Sequence, residues 1–278
     1  MATVDLRPMT LGEVLDRTFT LYRENFLLFA GITALPHLLT LIFNFGVLSM
    51  RGSGTSGASP GLPSAGMIGG ILLGAIGGAV LLLLIVGITQ AATVSAVSDL
   101  YLGRDTSIRD AYAQSKGIIF IVVAIMILSG LATLVGLIFL IIPGIYLACR
   151  LAVSVPVAVV EKESPVAAMG RSMALTKDHA GQMFLLLLLV GVLTYVVSIL
   201  LQLPVIFSSF SAAMAKTQPS VGVTAYSYVA QFLSQVLVGP IGTISASLMY
   251  FNLRVRKEGF DIQHLLGSLE NAPRPLQL

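Results

Sequence analysis

Residues 67–97 read MIGGILLGAIGGAVLLLLIVGITQAATVSAV and contain no charged side chain. A helix of about 20 apolar residues crosses the hydrocarbon core of a bilayer, which is about 30 Å thick. This stretch is long enough, and it lacks the polar face that a helix on the surface of a soluble protein requires. The sequence therefore predicts a transmembrane helix here, and similar stretches lie on both sides of it.

The composition of the whole chain agrees with this prediction. Charged residues make up 10% of the 278 residues and hydrophobic residues 56%, with a mean hydropathy of +0.92. A soluble protein carries about a quarter charged residues, and its core cannot enclose so much apolar surface. The predicted fold class is an all-α, polytopic integral membrane helical bundle.

Six stretches qualify as spans within a single membrane domain, residues 1–278. The predicted transmembrane ranges are 26–50, 67–97, 117–141, 145–160, 183–207 and 223–253. A Gly/Ser/Pro-rich loop, residues 51–66, separates the first two. Pro143 and Gly144 predict a tight turn before a short fourth span of about 24 Å. Gly239 and Pro240 predict a kink or break in the last span.

The positive charges predict how the chain is oriented in the membrane. Of 16 Lys and Arg residues, 13 lie in residues 1–25, 99–116, 161–179 and 254–278, whereas the loops on the other side carry only Arg51 and Lys216. Cytoplasmic loops are enriched in Lys and Arg, so both termini and the tail, residues 254–278, are predicted to be cytoplasmic. The net charge of +3 then reflects contact with anionic lipid headgroups, and nucleic acid is not a predicted partner.

Short amphipathic helices are predicted on the cytoplasmic side. Residues 10–24 form the first, because Thr10 and Glu13 have the spacing of a capping box and apolar and charged residues then occupy opposite faces. Others are predicted at residues 108–114 and after Ser164. The order of one short helix and two spans thus occurs three times. Residues 16–24 (DRTFTLYRE) align with residues 170–178 (GRSMALTKD), and both duplication and chance similarity remain open as explanations.

Small residues recur every fourth position at Gly66, Gly70, Gly74 and Gly78. Such spacing allows two transmembrane helices to approach closely. Packing against another span of the same chain and packing against a second copy both remain open.

The residues that could carry catalysis do not form a recognisable motif. The three histidines, His37, His179 and His264, are far apart and have no metal-ligand spacing. No Asp or Glu lies inside a predicted span, which argues against proton- or sodium-coupled transport. We therefore predict no catalytic, cofactor-binding or metal-binding residue.

Arg150 is the one basic residue inside a predicted span. A guanidinium in the hydrocarbon region costs a few kcal/mol unless it is paired or reaches the headgroups. Two interpretations remain open. Arg150 either extends to the outer headgroups or forms a buried intramembrane polar site with Gln90, Gln202, Gln235 or a carbonyl group freed by Pro143.

Four charged residues lie at the predicted cytoplasmic ends of different spans: Asp99, Glu161, Arg171 and Arg254. They form a candidate charge cluster beneath the bundle. A structural network that holds the short helices in place is the favoured interpretation, and a functional site is the alternative.

Three stretches carry a family resemblance: LRPMTLGEVLDRTFTLYRENF from residue 6, IPGIYLACRLAVSVPVAVVEKESPVAAMGRSMALTK from residue 142, and MYFNLRVRKEGFD from residue 249. They resemble the bacterial glycerophosphoryl diester phosphodiesterase membrane-domain family. In such proteins the membrane domain can precede a soluble phosphodiesterase barrel. Only 17 residues follow Asp261, so the resemblance implies the membrane part without the catalytic barrel.

Two functional hypotheses follow. The first is a non-catalytic integral membrane protein of the bacterial cytoplasmic (inner) membrane, with an accessory, assembly or lipid-interacting role. Its expected partners are membrane lipids and other membrane proteins, and its oligomeric state is open. The second is a transporter or channel for a lipid-like or amphipathic solute, which Arg150 and the interrupted last span motivate.

Overall fold

The computed structural model describes residues 8–53 and 65–259, which are helical and contain no strand. The helices are α1 (Leu11–Glu24), α2 (Phe26–Ser53), α3 (Ala65–Tyr101), α4 (Ile108–Ser115), α5 (Ile119–Phe139), α6 (Ile141–Leu151), α7 (Ser154–Glu161), α8 (Pro165–Leu175), α9 (Ala180–Met214) and α10 (Val221–Glu258). Within these residues six segments are long and apolar enough to span a membrane, with α6 and α7 together forming the fourth. The predicted all-α membrane bundle is confirmed. Residues 54–64 of the predicted loop and 260–278 of the predicted tail lie outside the described residues.

Hydroxyl side chains begin several of the helices. Thr10 Oγ1 accepts a hydrogen bond from the backbone N–H of Glu13, and the Glu13 carboxylate accepts one from the backbone N–H of Thr10, which is the predicted capping box. Ser107 and Ser220 cap α4 and α10 in the same way through the N–H three residues later. These bonds satisfy backbone donors that the first turn of a helix leaves unpaired.

The helices pack in a cyclic order that follows the threefold arrangement seen in the sequence. Each short helix contacts the span that precedes it: α4 packs on α3, α8 packs on α7, and α1 packs on α10, the last span of the chain. The spans α3, α7 and α10 contact one another. Around them, α2 packs on α3 and α10, α5 packs on α3 and α7, and α9 packs on α10. α1 and α10, the first and last helices of the described residues, therefore close the bundle.

Burial is concentrated at one end of the bundle. We call this the charged end, where α1, α4, α8 and residues 250–258 lie. The opposite, far end carries the turns at Leu140 and at residues 215–220. No described residue of 66–84, 126–139, 191–214 or 221–229 is buried, whereas most of residues 238–255 are. The packed core thus fills the charged end, and the apolar side chains towards the far end face outward.

The fourth span differs from its prediction. The chain turns at Leu140, whose extended backbone (φ −163°, ψ 141°) separates α5 from α6, and Pro143 lies inside the first turn of α6. The span begins at Ile141 and is interrupted between α6 and α7 near Val153. A proline is tolerated in the first turn because its missing N–H would have no helical partner there.

The break predicted for the last span is wrong, because α10 continues through Pro240, and the alternative of a kink stays a prediction. Proline removes one intrahelical hydrogen bond, and the surrounding packing compensates for that loss. Tyr22 of α1 donates a hydrogen bond to the carbonyl oxygen of Leu237 (2.6 Å), in the turn before Pro240.

The same relationship occurs at two other prolines. Tyr112 of α4 donates to the carbonyl of Ile32 (2.5 Å), four residues before Pro36 in α2. Tyr226 of α10 donates to the carbonyl of Leu201 (2.9 Å), three residues before Pro204 in α9. Burial raises the pKa of Tyr112 to about 12, so its hydroxyl remains a donor at neutral pH. A tyrosine from a neighbouring helix therefore donates to a carbonyl in the turn before each of these three prolines.

Glycines play different roles in α3 and in the α5–α6 hairpin. A Cβ added at Gly66, Gly70 or Gly74 would meet nothing within 4 Å, and only Gly78 approaches another span, at Phe43. The interpretation that this stripe packs against another span of the same chain is therefore wrong for Gly66, Gly70 and Gly74, as far as the described residues go. A Cβ at Gly136, by contrast, would lie 2.9 Å from Cα of Gly144 in the facing helix, so a glycine is required there.

The segment before α1 is attached to the end of α10. The Asn252 side chain accepts a hydrogen bond from the backbone N–H of Met9 (2.8 Å) and donates one to its carbonyl (3.0 Å). Arg256 donates a further bond to the same carbonyl (2.6 Å). Asn252 is buried, so these bonds satisfy an amide that would otherwise be costly to enclose.

Candidate functional site

Charged side chains of α7, α8 and α10 meet at the charged end. Arg171 Nε lies 3.1 Å from Glu161 Oε2, and its Nη2 contacts Glu258. Arg254 Nε lies 3.2 Å from Glu258 Oε2 and 3.7 Å from Glu161 Oε1. The Tyr250 hydroxyl donates to Glu161 Oε1 (2.9 Å) and accepts from Arg254 (3.0 Å). Two guanidinium and two carboxylate groups therefore form one network that joins three helices.

This network contains three of the four residues of the candidate charge cluster, Glu161, Arg171 and Arg254, and adds Glu258 and Tyr250. Burial lowers the pKa of Arg171, but hydrogen bonds and the charges of Glu161 and Glu258 outweigh that effect and raise the pKa overall. The charges of the network balance, and its groups bond one another. Such an arrangement is typical of a structural connection between helices.

Asp99 lies apart from this network. Its carboxylate accepts a hydrogen bond from Gln114 Nε2 (2.8 Å) and lies 3.4 Å from Arg104 Nε. The placement of Asp99 in the candidate cluster is therefore wrong. Asp99 instead connects the end of α3 to α4, beside a surface groove of about 290 Å³.

The Arg150 side chain bonds to groups of the protein itself. Its Nη1 donates to the Tyr146 hydroxyl (2.6 Å) and its Nη2 donates to the carbonyl of Met173 in α8 (2.5 Å). The guanidinium also lies over the Tyr146 ring, 5.5 Å from its centroid. Neither interpretation from the sequence is correct, because the span begins at Ile141 and α8 packs against it, which places Arg150 beside the last turn of α8.

The backbone of Arg150 is also bonded to α8. The carbonyl of Arg150 accepts hydrogen bonds from the hydroxyls of Ser172 (2.8 Å) and Thr176 (3.1 Å). This carbonyl lies just before the interruption between α6 and α7, where the helical ladder is broken. Lys257 binds the next carbonyl of α8, that of Ala174 (3.0 Å). Cations at Met173 and Ala174 stabilise the C-terminal end of α8, where the helix dipole favours positive charge.

The three glutamines of the predicted intramembrane site do not converge on Arg150. Gln90 lines a groove of about 510 Å³ between α3, α5 and the α6–α7 span, together with Ser129 and Thr133. Gln235 lines a different cavity, between α2, α3 and α10. Gln202 lies on α9 and lines neither of these two.

The cavity at Gln235 has a polar wall that the sequence analysis missed. We call it the α2–α10 cavity; its volume is about 70 Å³ and its polar residues are His37, Thr40, Asn44, Tyr228, Gln231 and Gln235. The sequence contained a signal for it. Residues 37, 40 and 44 on α2 and residues 228, 231 and 235 on α10 have the same spacing, which places each set on one helix face. Within otherwise apolar spans, such a polar face is unusual.

No metal site is evident: within residues 8–53 and 65–259, no three His, Cys, Asp or Glu side chains lie close enough to hold an ion. Cys149, the only cysteine of the sequence, is buried.

Comparisons with known proteins identify no relative. No protein-family model, no curated protein and no solved structure matches this chain. The resemblance to the glycerophosphoryl diester phosphodiesterase membrane-domain family stays a prediction.

Proposed function

We propose that this chain is a non-catalytic, lipid-interacting protein of the bacterial cytoplasmic membrane. The groove at Gln90 supports this proposal best. Its volume, about 510 Å³, lies in the range of ligand-binding clefts. Its walls are mostly apolar, and Gln90, Ser129 and Thr133 add a polar strip. An amphipathic molecule such as a membrane lipid matches this lining.

A second groove supports the same function. It lies between α6 and α9, has a volume of about 470 Å³ and is lined mainly by apolar residues, among them Ile142, Ile145 and Phe184. An acyl chain fits such a surface. The two grooves flank α6, so one lipid molecule at each would cover the outward-facing side chains of this helix.

The proposal is tested by filling the first groove. Gly130 lines it, and a Cβ there would meet nothing within 4 Å. Gly130→Trp should therefore fill the groove without disturbing the helix. Leu131→Trp is the matched control, because Leu131 is exposed and does not line the groove. Native mass spectrometry should show fewer retained lipids for Gly130→Trp alone. Equal lipid retention in both variants would refute the assignment of this groove.

Transport of an amphipathic solute is the second candidate function. The observation that favours it is the change in packing along the spans, closed at the charged end and exposed towards the far end, with the α2–α10 cavity near the boundary. Proteoliposomes should then take up a solute, and loss of uptake in Gln235→Leu would support this function. No flux across a broad panel of amphipathic solutes would refute it.

The orientation is part of the proposal: the charged end faces the cytoplasm, as the distribution of Lys and Arg indicates. Asp105→Cys and Lys216→Cys place a thiol at opposite ends of the bundle, and Cys149 is buried. In intact cells a membrane-impermeant thiol reagent should label the cysteine at position 216 and not that at position 105. The opposite labelling would reverse the assignment.

A further inference from the structure

The α2–α10 cavity contains hydrogen-bonding groups that the protein itself does not use. Among the residues that the structure describes, the amides of Asn44, Gln231 and Gln235 have no hydrogen-bond partner, and neither does the Tyr228 hydroxyl. Thr40 Oγ1 is buried and also has no partner. An amide or hydroxyl in an apolar environment costs several kcal/mol when it is unpaired. Thr40 therefore gains a partner from a polar occupant, and the exposed side chains of Gln231 and Gln235 present their amides to it.

His37 adds a group of defined hydrogen-bonding role. Its Nδ1 lies 2.9 Å from the carbonyl of Thr33, which can only accept a hydrogen bond. The proton of a neutral ring is therefore on Nδ1, and Nε2 is an acceptor. The cavity thus offers amide donors, amide acceptors, hydroxyls and one ring acceptor, and the occupant must carry both donors and acceptors.

Charge and size limit the class of occupant further. The lining contains no Asp, Glu, Lys or Arg, so an ionic ligand would lack a counter-charge. A volume of 70 Å³ corresponds to about two water molecules, at their share of about 30 Å³ each in the liquid. Leu41, Leu82, Val86 and Phe232 form the apolar part of the cavity wall. This wall suits the carbon skeleton of a small organic group better than a chain of waters.

We propose that the α2–α10 cavity binds a small uncharged group that bears an amide or a hydroxyl. Two sources offer this chemistry, a free solute and the glycerol moiety of a neutral lipid. Gln231 and Gln235 bind the group from α10, and Asn44 binds it from α2. This site is distinct from the groove at Gln90, so it can exist whether or not that groove binds lipid.

The test uses the full chain in phosphatidylcholine nanodiscs and ligand-observed NMR. Acetamide and glycerol are the probes, and acetate is the control because it has the shape of acetamide and carries a charge. Saturable binding of acetamide or glycerol, at least tenfold tighter than that of acetate, is expected. Equal binding of acetate, or no saturable binding of either neutral probe in the absence of a competing lipid, would overturn the proposal and leave the cavity to water.

Two variants and one lipid define the site and the source. Gln231→Leu and Gln235→Leu should each weaken probe binding about tenfold, whereas Gln202→Leu on α9 should not change it. Because these glutamines hold no bond within the described chain, the replacements should keep the fold, which the melting temperature verifies. Diacylglycerol in the nanodisc should displace the probe if the lipid is the natural source and leave it bound if a solute is. Binding that persists in both cavity variants would refute the site.

Discussion

The Tyr112 hydroxyl donates a 2.5 Å hydrogen bond to the carbonyl of Ile32, the group that Pro36 leaves without its helical partner. Tyr112→Phe should destabilise the protein by about 1–2 kcal/mol, because a buried carbonyl loses its only strong donor. Pro36→Ala restores the missing N–H, so the cost of Tyr112→Phe should be smaller in that background. Unfolding in detergent, measured for both single variants and the double variant, gives the coupling. Equal costs in both backgrounds would contradict this role of Tyr112.

Arg150 should contribute to stability by fixing the last turn of α8. Arg150→Leu removes the bonds to Tyr146 and Met173, and we expect a loss of about 2–3 kcal/mol. Tyr146→Phe removes only one acceptor and should cost less. Chemical unfolding of the purified protein measures both. If Arg150→Leu is as stable as the wild type, the guanidinium contributes no net stability.

The network at the charged end predicts that replacing Glu161 lowers stability more than replacing Glu163. Glu161→Gln leaves Arg171 and Arg254 with one carboxylate fewer, and it should cost about 2 kcal/mol because these groups are partly buried. Glu163→Gln is the control, since Glu163 is exposed and has no bond with another described residue. Thermal unfolding should separate the two variants, and similar melting temperatures would show that the network is not important for stability.

The glycines of α3 and of the α5–α6 hairpin should respond differently to alanine. Gly136→Ala forces the hairpin apart, since its Cβ would lie 2.9 Å from Cα of Gly144, and it should cost about 1–3 kcal/mol. Gly74→Ala places its Cβ in open space and should be neutral or slightly stabilising. Melting temperatures in one detergent measure the difference. A loss of stability in Gly74→Ala would mean that another molecule packs against this stripe.

Stability should fall in mild acid because of His179. Burial lowers the pKa of His179 below 6.5, with Lys257 and Arg256 adding to the effect and Asp178 opposing it. The unfolded chain therefore binds a proton more readily, and stability falls as the pH drops below about 6.5 towards the lower pKa of the folded state. His179→Gln should flatten this part of the curve of melting temperature against pH. An unchanged curve would assign the acid sensitivity to another group.

Asp178 affects the stability of the protein at a more acidic pH than His179 does. The hydrogen bond and charge of Lys257 lower its pKa below 3.8, so its contribution is complete above that value and is lost as the pH falls through the lower pKa. This loss therefore occurs below pH 3.8, whereas that of His179 begins at about pH 6.5.

The helices could be predicted because each one is defined by residues that are close together in the sequence. Apolar length defines six spans, and Thr10 with Glu13 defines the start of α1. The charge network was partly predictable, since Glu161, Arg171 and Arg254 lie at span ends that share one side of the membrane. The position of Asp99 was not, because the hairpin between α3 and α4 keeps its carboxylate with Arg104 and Gln114.

The partners of Arg150 and the α2–α10 cavity depend on contacts between distant elements. The sequence shows a charge in a span, but only the packing of α8 brings the Met173 carbonyl to it. The polar faces at His37 and Gln235 are visible separately as helical spacings. Their meeting depends on the closure of the chain into a ring, which brings α10 beside α2.

The bonds between Met9 and Asn252 join residues 243 positions apart. The ribosome therefore releases α1 long before it makes the helix on which α1 packs. During synthesis the apolar face of α1, with Val14 and Leu21, has no final partner, and a membrane surface or a chaperone must cover it. A nascent chain that stops before residue 252 lacks this partner altogether. α10 thus completes the packing of α1, although α1 is made first.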